Sequence, residues 1–198
     1  MFGPGRVGSG LARFWVDAGH EVKLAFARDQ AKLEATAKEI GATAAEPTEA
    51  AAWADVVVLT TPWGVVADAI ASAGDLDGKI VVDATNNFEL LDASGAELVA
   101  NHARGARVVK AFNTLFALTY DAIRSAKTKP DHVFCGDDPE AKAAVAQLIA
   151  DVGLNPIDAG PLANAIHIEN FAEFIIDLAY KQGFDPFVYR FIKPSELD

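Results

Sequence analysis

The chain has 198 residues, of which 51% are hydrophobic and 23% charged, and these values are typical of one globular domain with a well-formed core. Its net charge of −11 argues against nucleic acid and anionic membranes as partners, and no apolar run is long enough to span a bilayer. The single cysteine, Cys135, excludes an intrachain disulfide and favours a reducing, cytoplasmic setting.

A glycine-rich turn opens the chain. Gly3, Gly5 and Gly8 have the G-x-G-x-x-G spacing, and residues 11–18 after them are typical of a helix. This spacing permits a tight turn, a close approach of the backbone to a pyrophosphate and close packing of the helix on a sheet. The start of such a helix offers free N–H groups to phosphate. Because a second strand at 20–26 follows at βαβ distance, the turn predicts dinucleotide binding rather than a purely structural bend.

The first strand of that unit is nearly absent from the sequence. Only Met1 and Phe2 precede the glycines, although this strand is normally central and buried. Either the natural start lies upstream of Met1 or the strand is shortened, and the sequence leaves both alternatives open.

Helices and apolar strands alternate from there on. A helix is predicted over residues 29–40, ending at Gly41, and a short helix opens at Pro47 with Thr48 as its N-cap. The predicted strands cover residues 42–44, 55–60, 80–84, 107–112 and 132–135. Continuous apolar strands separated by helices predict a parallel sheet covered on both faces. The fold class is therefore a doubly wound α/β fold of the Rossmann type, with a helical C-terminal cap.

The C-terminal part begins with a helix that Asp138 and Pro139 open. Residues 155–158 form a late edge strand, and the longest helix is predicted over 163–182. The following tail, 184–192, is too aromatic for a solvated segment, so it is expected to pack on the domain or on a second subunit of a homodimer. These patterns predict two units: a dinucleotide-binding Rossmann domain at 1–162, and a C-terminal helix and tail at 163–198.

The end of the second strand indicates the cofactor. NAD-binding folds usually place an acidic residue about 20 residues beyond the glycines to bond the ribose 2′-hydroxyl. Residues 26–28 contain none, whereas Arg28 can form a forked contact with a 2′-phosphate and Lys32 can add a point charge. This favours NADP over NAD. The alternative is an ordinary solvated face, and Arg6 in the turn could equally approach phosphate or point to solvent.

Polar side chains follow three later strands, where ligands of open α/β sheets bind. The candidate residues there are Thr61, Pro62, Trp63, Thr85, Asn86, Phe112 and Asn113. Pro62 and Trp63 are candidates to wall the ribose–nicotinamide arm. Thr85, Asn86 and Asn113 are candidates to bond a carboxamide or a polar acceptor, although residues 86 and 87 could instead form a plain turn.

The sequence contains no recognisable catalytic or metal-binding constellation. There is no Ser/His/Asp order or metal-ligand cluster, and His102 and His167 have no evident carboxylate partner. Lys110 is a candidate general acid, but nothing in the sequence proves it. Hydride transfer between two redox cofactors needs aligned rings more than a protein acid or base, so no catalytic residue and no metal site is assigned.

Several stretches resemble the coenzyme F420-dependent NADP oxidoreductase family, which includes deazaflavin reductases and related cytosolic domains of metalloreductases. The resemblance covers nearly the whole chain and is carried by residues 3–8, 82–86, 110–114, 134–138 and 158–162. The last two stretches are more specific than the glycine turn because generic nucleotide binding does not require them.

The resemblance implies that the run Pro4-Gly5-Arg6-Val7 wraps the pyrophosphate and that Ala27, Arg28 and Lys32 receive the 2′-phosphate. The family often has Ser where Ala27 stands, so one hydrogen bond, worth about 1 kcal/mol, would be missing without loss of NADP preference.

The function expected from these observations is hydride transfer between NADPH and a flat small-molecule acceptor, such as coenzyme F420 or a flavin. The acceptor would lie across the strand ends against Phe112, Asn113 and the C-terminal cap. Two alternatives stay open: an NADPH-dependent flavin or ferric-chelate reductase, and an NADP-sensing module without turnover.

Overall fold

The computed structural model describes residues 1–89 and 94–196. The described helices are α1 (Arg6–Asp17), α2 (Gln30–Ile40), α3 (Pro47–Trp53), α4 (Val66–Ala73), α5 (Gly95–His102), α6 (Tyr120–Ser125), α7 (Pro139–Asp151) and α8 (Ala165–Tyr180). The described strands are β1 (Lys23–Leu24), β2 (Thr43–Ala44), β3 (Val56–Leu59), β4 (Ile80–Asp83), β5 (Arg107–Lys110), β6 (Asp131–Gly136) and β7 (Asn155–Asp158). Short 3₁₀ turns lie at Trp63–Val65, Ala117–Thr119, Leu162–Asn164 and Pro194–Glu196.

Phe2 takes the place of the missing first strand. Its amide donates to the Val58 carbonyl at 2.8 Å, while on the other side the Gly3 amide donates to Ala25 at 3.2 Å. The Phe2 side chain is 1% exposed. Phe2 therefore joins the parallel pair β1–β2 to β3 and makes the sheet continuous.

The larger part of the sheet has the order β3-β4-β5-β6-β7. β3, β4 and β5 are parallel, as predicted, but β6 runs antiparallel to β5 and pairs Lys110 with Cys135. The connection from β5 to β6 covers residues 111–130 and contains α6, a helix of six residues. β7 runs parallel to β6, so the doubly wound fold is confirmed with its last two strands reversed relative to β3, β4 and β5.

The core lies on both faces of the sheet. Val81 and Val108 pack against α3, α4, α5 and α8, whereas Val82 and Val109 pack against α1, α2 and α7. Adjacent residues of a strand point to opposite faces, so continuous valine runs are what a sheet buried on both sides requires.

The helix ends follow the sequence with one exception. Asp29 caps α2 by accepting from the Lys32 amide at 3.0 Å, and Asp138 caps α7. The prediction that Thr48 caps α3 is wrong. Pro47 occupies the first turn, which makes Glu46 the N-cap, and the Thr48 hydroxyl instead donates to a carbonyl of α4 at 3.0 Å.

The C-terminal tail contacts the rest of the chain through backbone and aromatic groups. The Asp131 amide donates to the Tyr189 carbonyl at 2.9 Å, and the Tyr189 hydroxyl lies 2.7 Å from Thr114 Oγ1. The rings of Phe187 and Phe116 are 5.9 Å apart. Residues 197 and 198, the last of the predicted C-terminal unit, lie outside the described residues. Within residues 1–89 and 94–196, no helix has the length and apolar character needed to cross a membrane.

Candidate functional site

The glycine turn connects Phe2 to α1 and is closed on one side and open on the other. Gly3 has a φ of +87°, and a Cβ there would lie 2.9 Å from the Thr61 amide. A Cβ on Gly8 would lie 2.5 Å from the Gly3 carbonyl oxygen and from Thr60 Oγ1, so the helix can pack this closely only with glycine. A Cβ on Gly5 would meet nothing within 4 Å, so the backbone there faces open space.

The first turn of α1 has no side-chain cap and no acidic residue, so its free amide groups and the positive end of its dipole face the open side. Pro4 and Val7 are half-buried, and Arg6 is exposed. Thr61 is 5% exposed, and its hydroxyl has no hydrogen-bond partner among the described residues. An open glycine, free amides and an unpaired buried hydroxyl together fit a phosphate-bearing cofactor.

A second feature, the exposed corner at the start of α2, carries positive charge. Ala27, Arg28 and Lys32 are all exposed, and neither cation forms an ion pair with any residue that the structure describes. The Asp29 carboxylate caps α2 by accepting from the Lys32 amide through Oδ1.

Phe26 turns the chain toward that corner. Its φ is +57°, a left-handed value unusual for a bulky residue, and its ring stacks on Phe2 with 6.4 Å between ring centroids. The sequence carried no signal for this turn.

The structure brings Asn86 and Asn113 together at the ends of β4 and β5. The Asn86 Nδ2 donates to the Asn113 carbonyl at 3.0 Å, and the Asn113 Nδ2 donates to Asn86 Oδ1 at 3.0 Å. Thr85 is buried, and its hydroxyl donates to Asp83 at 2.6 Å. The hydroxyl of Thr85 is therefore already used inside the protein.

Phe112 lies in the core rather than at a ligand surface. Its side chain is 1% exposed, between the rings of Trp15 and His132 at 5.5 and 5.2 Å. Its amide donates to Nε2 of His132 at 2.6 Å. The expectation that an acceptor lies against Phe112 does not fit this position, because the side chain is buried in the core. Burial lowers the pKa of His132 to about 3, so the imidazole is neutral.

Sequence reasoning missed a buried ionic cluster around Lys110. Its ammonium lies 2.9 Å from Asp83, 2.7 Å from Glu169 and 2.6 Å from the Thr85 carbonyl, and all three charged side chains are 3% exposed or less. Glu169 also accepts from the first two amides of α5, at 2.9 and 3.3 Å.

The Lys110 ammonium donates hydrogen bonds to Asp83 and to the Thr85 carbonyl and forms an ion pair with Glu169, so it links α8 to the sheet. One signal of this cluster was present in the sequence. Asp83 and Lys110 end neighbouring parallel strands and pair in register, but Glu169 comes from a distant helix.

Trp63 and Asn87 lie together at the start of α5. A Cβ on Gly95 would be 3.1 Å from Cζ3 of Trp63 and 3.0 Å from Cβ of Asn87. Pro62, the residue before Trp63, is exposed. The sequence left open whether residues 86 and 87 only form a turn. In the structure the side chain of Asn87 is buried, with 4% of it exposed.

The rest of the described chain offers no metal centre and no activated thiol. Between residues 1 and 89 and from 94 to 196, no group of three or more His, Cys, Asp or Glu side chains is placed to hold a metal ion. Cys135 is fully buried, and burial raises the pKa of its thiol to about 12.

The chain is similar to known reductases over most of its length. Residues 1–87 match the family described as NADP oxidoreductase, coenzyme F420-dependent. The F420-dependent NADP reductase of Methanothermobacter thermautotrophicus is 31% identical over 201 residues, which cover 89% of this chain and 86% of that protein. A structure from Arthrobacter sp. FB24, described as a candidate F420-dependent NADP reductase, is 27% identical over 97% of both chains, with a TM-score of 0.85. Metalloreductase STEAP3 of Rattus norvegicus is 36% identical over 101 residues, which are 49% of this chain and 20% of that protein.

Proposed function

Since the chain belongs to the coenzyme F420-dependent NADP oxidoreductase family and is an NADP-dependent oxidoreductase, we propose that it transfers hydride between NADPH and the deazaflavin ring of coenzyme F420. When bound, NADPH supplies the hydride from its nicotinamide ring and the deazaflavin accepts it. The observation that carries this proposal is the open glycine turn at the start of α1, together with an exposed corner whose two cations form no ion pair with the described residues.

In this proposal, the run Pro4-Gly5-Arg6-Val7 surrounds the pyrophosphate. The absence of any atom within 4 Å of a Cβ on Gly5 supports the close approach, because a bound phosphate would occupy that space. The exposed Arg6 adds charge to the helix dipole, and the Thr61 hydroxyl is free to donate to a phosphate or ribose oxygen.

Arg28 and Lys32 bind the 2′-phosphate, with Ala27 beside them. Both cations are free of protein carboxylates in the described chain, so binding a phosphate breaks no existing ion pair. Ala27 lacks the hydroxyl that a serine would offer, which makes Arg28 the main contact.

Residues at the strand ends would hold the reacting rings. Pro62 and Trp63 would line this site, as would Asn86 and Asn113, which are hydrogen-bonded to each other at the ends of β4 and β5. Lys110 is fully buried and its ammonium is held between Asp83 and Glu169, which supports a transfer that depends on ring alignment rather than on a protein acid.

Steady-state oxidation of NADPH with separate acceptors tests the proposal. We expect turnover with coenzyme F420 or a simple deazaflavin, and little with FMN or a ferric chelate. Faster turnover with FMN or the ferric chelate would overturn the choice of acceptor. Tight NADPH binding without turnover on any acceptor would instead show a sensor.

We also propose that the C-terminal unit, 163–198, contacts a second copy of the chain, and that the protein works in the cytoplasm, where the buried Cys135 stays reduced. Phe174, Tyr180, Phe184 and Phe191 support the homodimer, because each is more than half exposed on α8 or the tail. Light scattering tests it, and a monomeric mass at micromolar concentration would contradict it.

A further inference from the structure

Two buried side chains at the strand ends have an unused hydrogen-bonding atom. Asn87 is 4% exposed and Asn113 is 7% exposed. Nδ2 of Asn87 and Oδ1 of Asn113 have no hydrogen-bond partner in the structure as described. A buried polar atom without a partner destabilises the fold, so each such atom calls for an explanation.

Their neighbours fix the orientation of both amides. Asn113 donates through Nδ2 to Asn86 Oδ1, and a flipped amide would set two oxygens against each other. Asn87 Oδ1 accepts from the Glu89 amide at 3.2 Å, which leaves Nδ2 as the free atom. The unused atoms are therefore one donor, on Asn87, and one acceptor, on Asn113.

The two atoms lie on neighbouring strand ends. Asp83 and Lys110 pair in register, and the contacts between Asn86 and Asn113 continue this register beyond the strands. Asn87 follows Asn86 in the chain and packs against Gly95, the first residue of α5. The Gly95 amide donates to Glu169.

We propose that Asn87 and Asn113 form an amide-recognition pair, in which Asn87 donates to the C=O and Asn113 accepts from the N–H of a planar amide on a bound ring. This inference rests on the proposed function, because the nicotinamide carboxamide and the lactam edge of a deazaflavin both carry that group. A site built to bond both atoms of an amide discriminates strongly against rings that lack one of them.

The first arm of the test measures dinucleotide binding by calorimetry, using NADP⁺, its 3-acetylpyridine analogue and 2′,5′-ADP. The analogue keeps the carbonyl but lacks the amide N–H, and 2′,5′-ADP lacks the ring altogether. We expect the unaltered protein to bind the analogue about tenfold more weakly than NADP⁺. Asn87→Asp keeps the acceptor for Glu89 and loses the free donor, so it should weaken NADP⁺ about tenfold and leave 2′,5′-ADP unchanged.

The second arm tests whether the amide belongs to the deazaflavin acceptor instead of the nicotinamide. If the pair holds the acceptor, Asn87→Asp raises the KM for 5-deazariboflavin and leaves NADP⁺ affinity unchanged, and an N3-methylated deazariboflavin is a poor substrate of the unaltered protein. Asn101→Asp, an exposed position on α5, is the matched control and should behave like the unaltered chain.

The outcomes separate the two levels of the proposal. If the unaltered protein binds neither NADP⁺ nor 2′,5′-ADP, the proposed function is overturned. Intact 2′,5′-ADP binding, with no effect of Asn87→Asp in either arm, would overturn the amide pair alone. If the variant does not fold, equal affinity of the unaltered protein for NADP⁺ and its analogue, together with equal rates for both deazariboflavins, gives the same negative result.

Discussion

Positive charge serves two regions of this protein in opposite ways. At the start of α2, Arg28 and Lys32 are exposed and form no ion pair with the described residues. At the end of β5, Lys110 is fully buried and contacts two carboxylates and a carbonyl. The first region is available to a ligand, and the second is committed to the fold.

The difference follows from solvation. An exposed ion pair contributes about 0–1 kcal/mol, so the fold loses little by leaving two surface cations unpaired. A buried charge without a partner destabilises strongly, so Lys110 requires Asp83 and Glu169. Substitutions in the cluster should therefore affect stability, and substitutions at the corner should affect cofactor binding.

Lys110→Met gives the largest expected effect. The change leaves Asp83 and Glu169 buried beside each other without their cation, which should lower the free energy of unfolding by about 3–5 kcal/mol. Urea denaturation measures it, with Lys38→Met on the exposed face of α2 as the control. A loss below about 1 kcal/mol would show that the cluster is not an essential part of the fold.

Arg28→Ala should reduce binding and not stability. Loss of a charge-assisted contact of about 2 kcal/mol predicts roughly thirtyfold weaker NADPH binding, with NADH binding and the melting temperature nearly unchanged. Arg104→Ala, at another exposed arginine, is the matched control. Equal losses for NADPH and NADH would contradict the assignment of the 2′-phosphate.

The buried side of the comparison also predicts a pH dependence. Burial lowers the pKa of His132 from its ordinary value of 6.5 to about 3. Between these two pH values the imidazole is protonated in the unfolded chain and neutral in the folded protein. Stability should therefore fall by about 1.4 kcal/mol per pH unit as the pH drops below roughly 6. Denaturation at several pH values tests this. His132→Gln should flatten the slope, whereas His167→Gln, at an exposed position, should not.

Lys32→Ala should have the smallest effect. A flexible exposed ammonium contributes about 1 kcal/mol or less, so NADPH binding should weaken only a few-fold, and less at high salt. Fluorescence titration at two ionic strengths measures it. An effect larger than that of Arg28→Ala would reverse the proposed roles of the two cations.

Local chemistry made much of the fold predictable. The valine runs of β3 to β5, the helix end at Gly41, the cap at Asp138 and the glycine turn each lie within a few neighbouring residues, and the structure has all of them. The predicted cap at Thr48 was wrong because Pro47 changed where the helix begins. The predicted parallel direction of β6 was wrong because the direction depends on the path of the whole connection from β5.

By itself, the sequence determined the doubly wound α/β fold, the family and the cationic corner, since all of these depend on residues close together in the chain. Only the tertiary structure decided that Phe112 is buried, that Glu169 completes the cluster at Lys110, and that Asn87 and Asn113 leave complementary atoms unused. The physical reason is that burial and hydrogen-bond pairing depend on which distant segments meet, and no local pattern specifies that meeting.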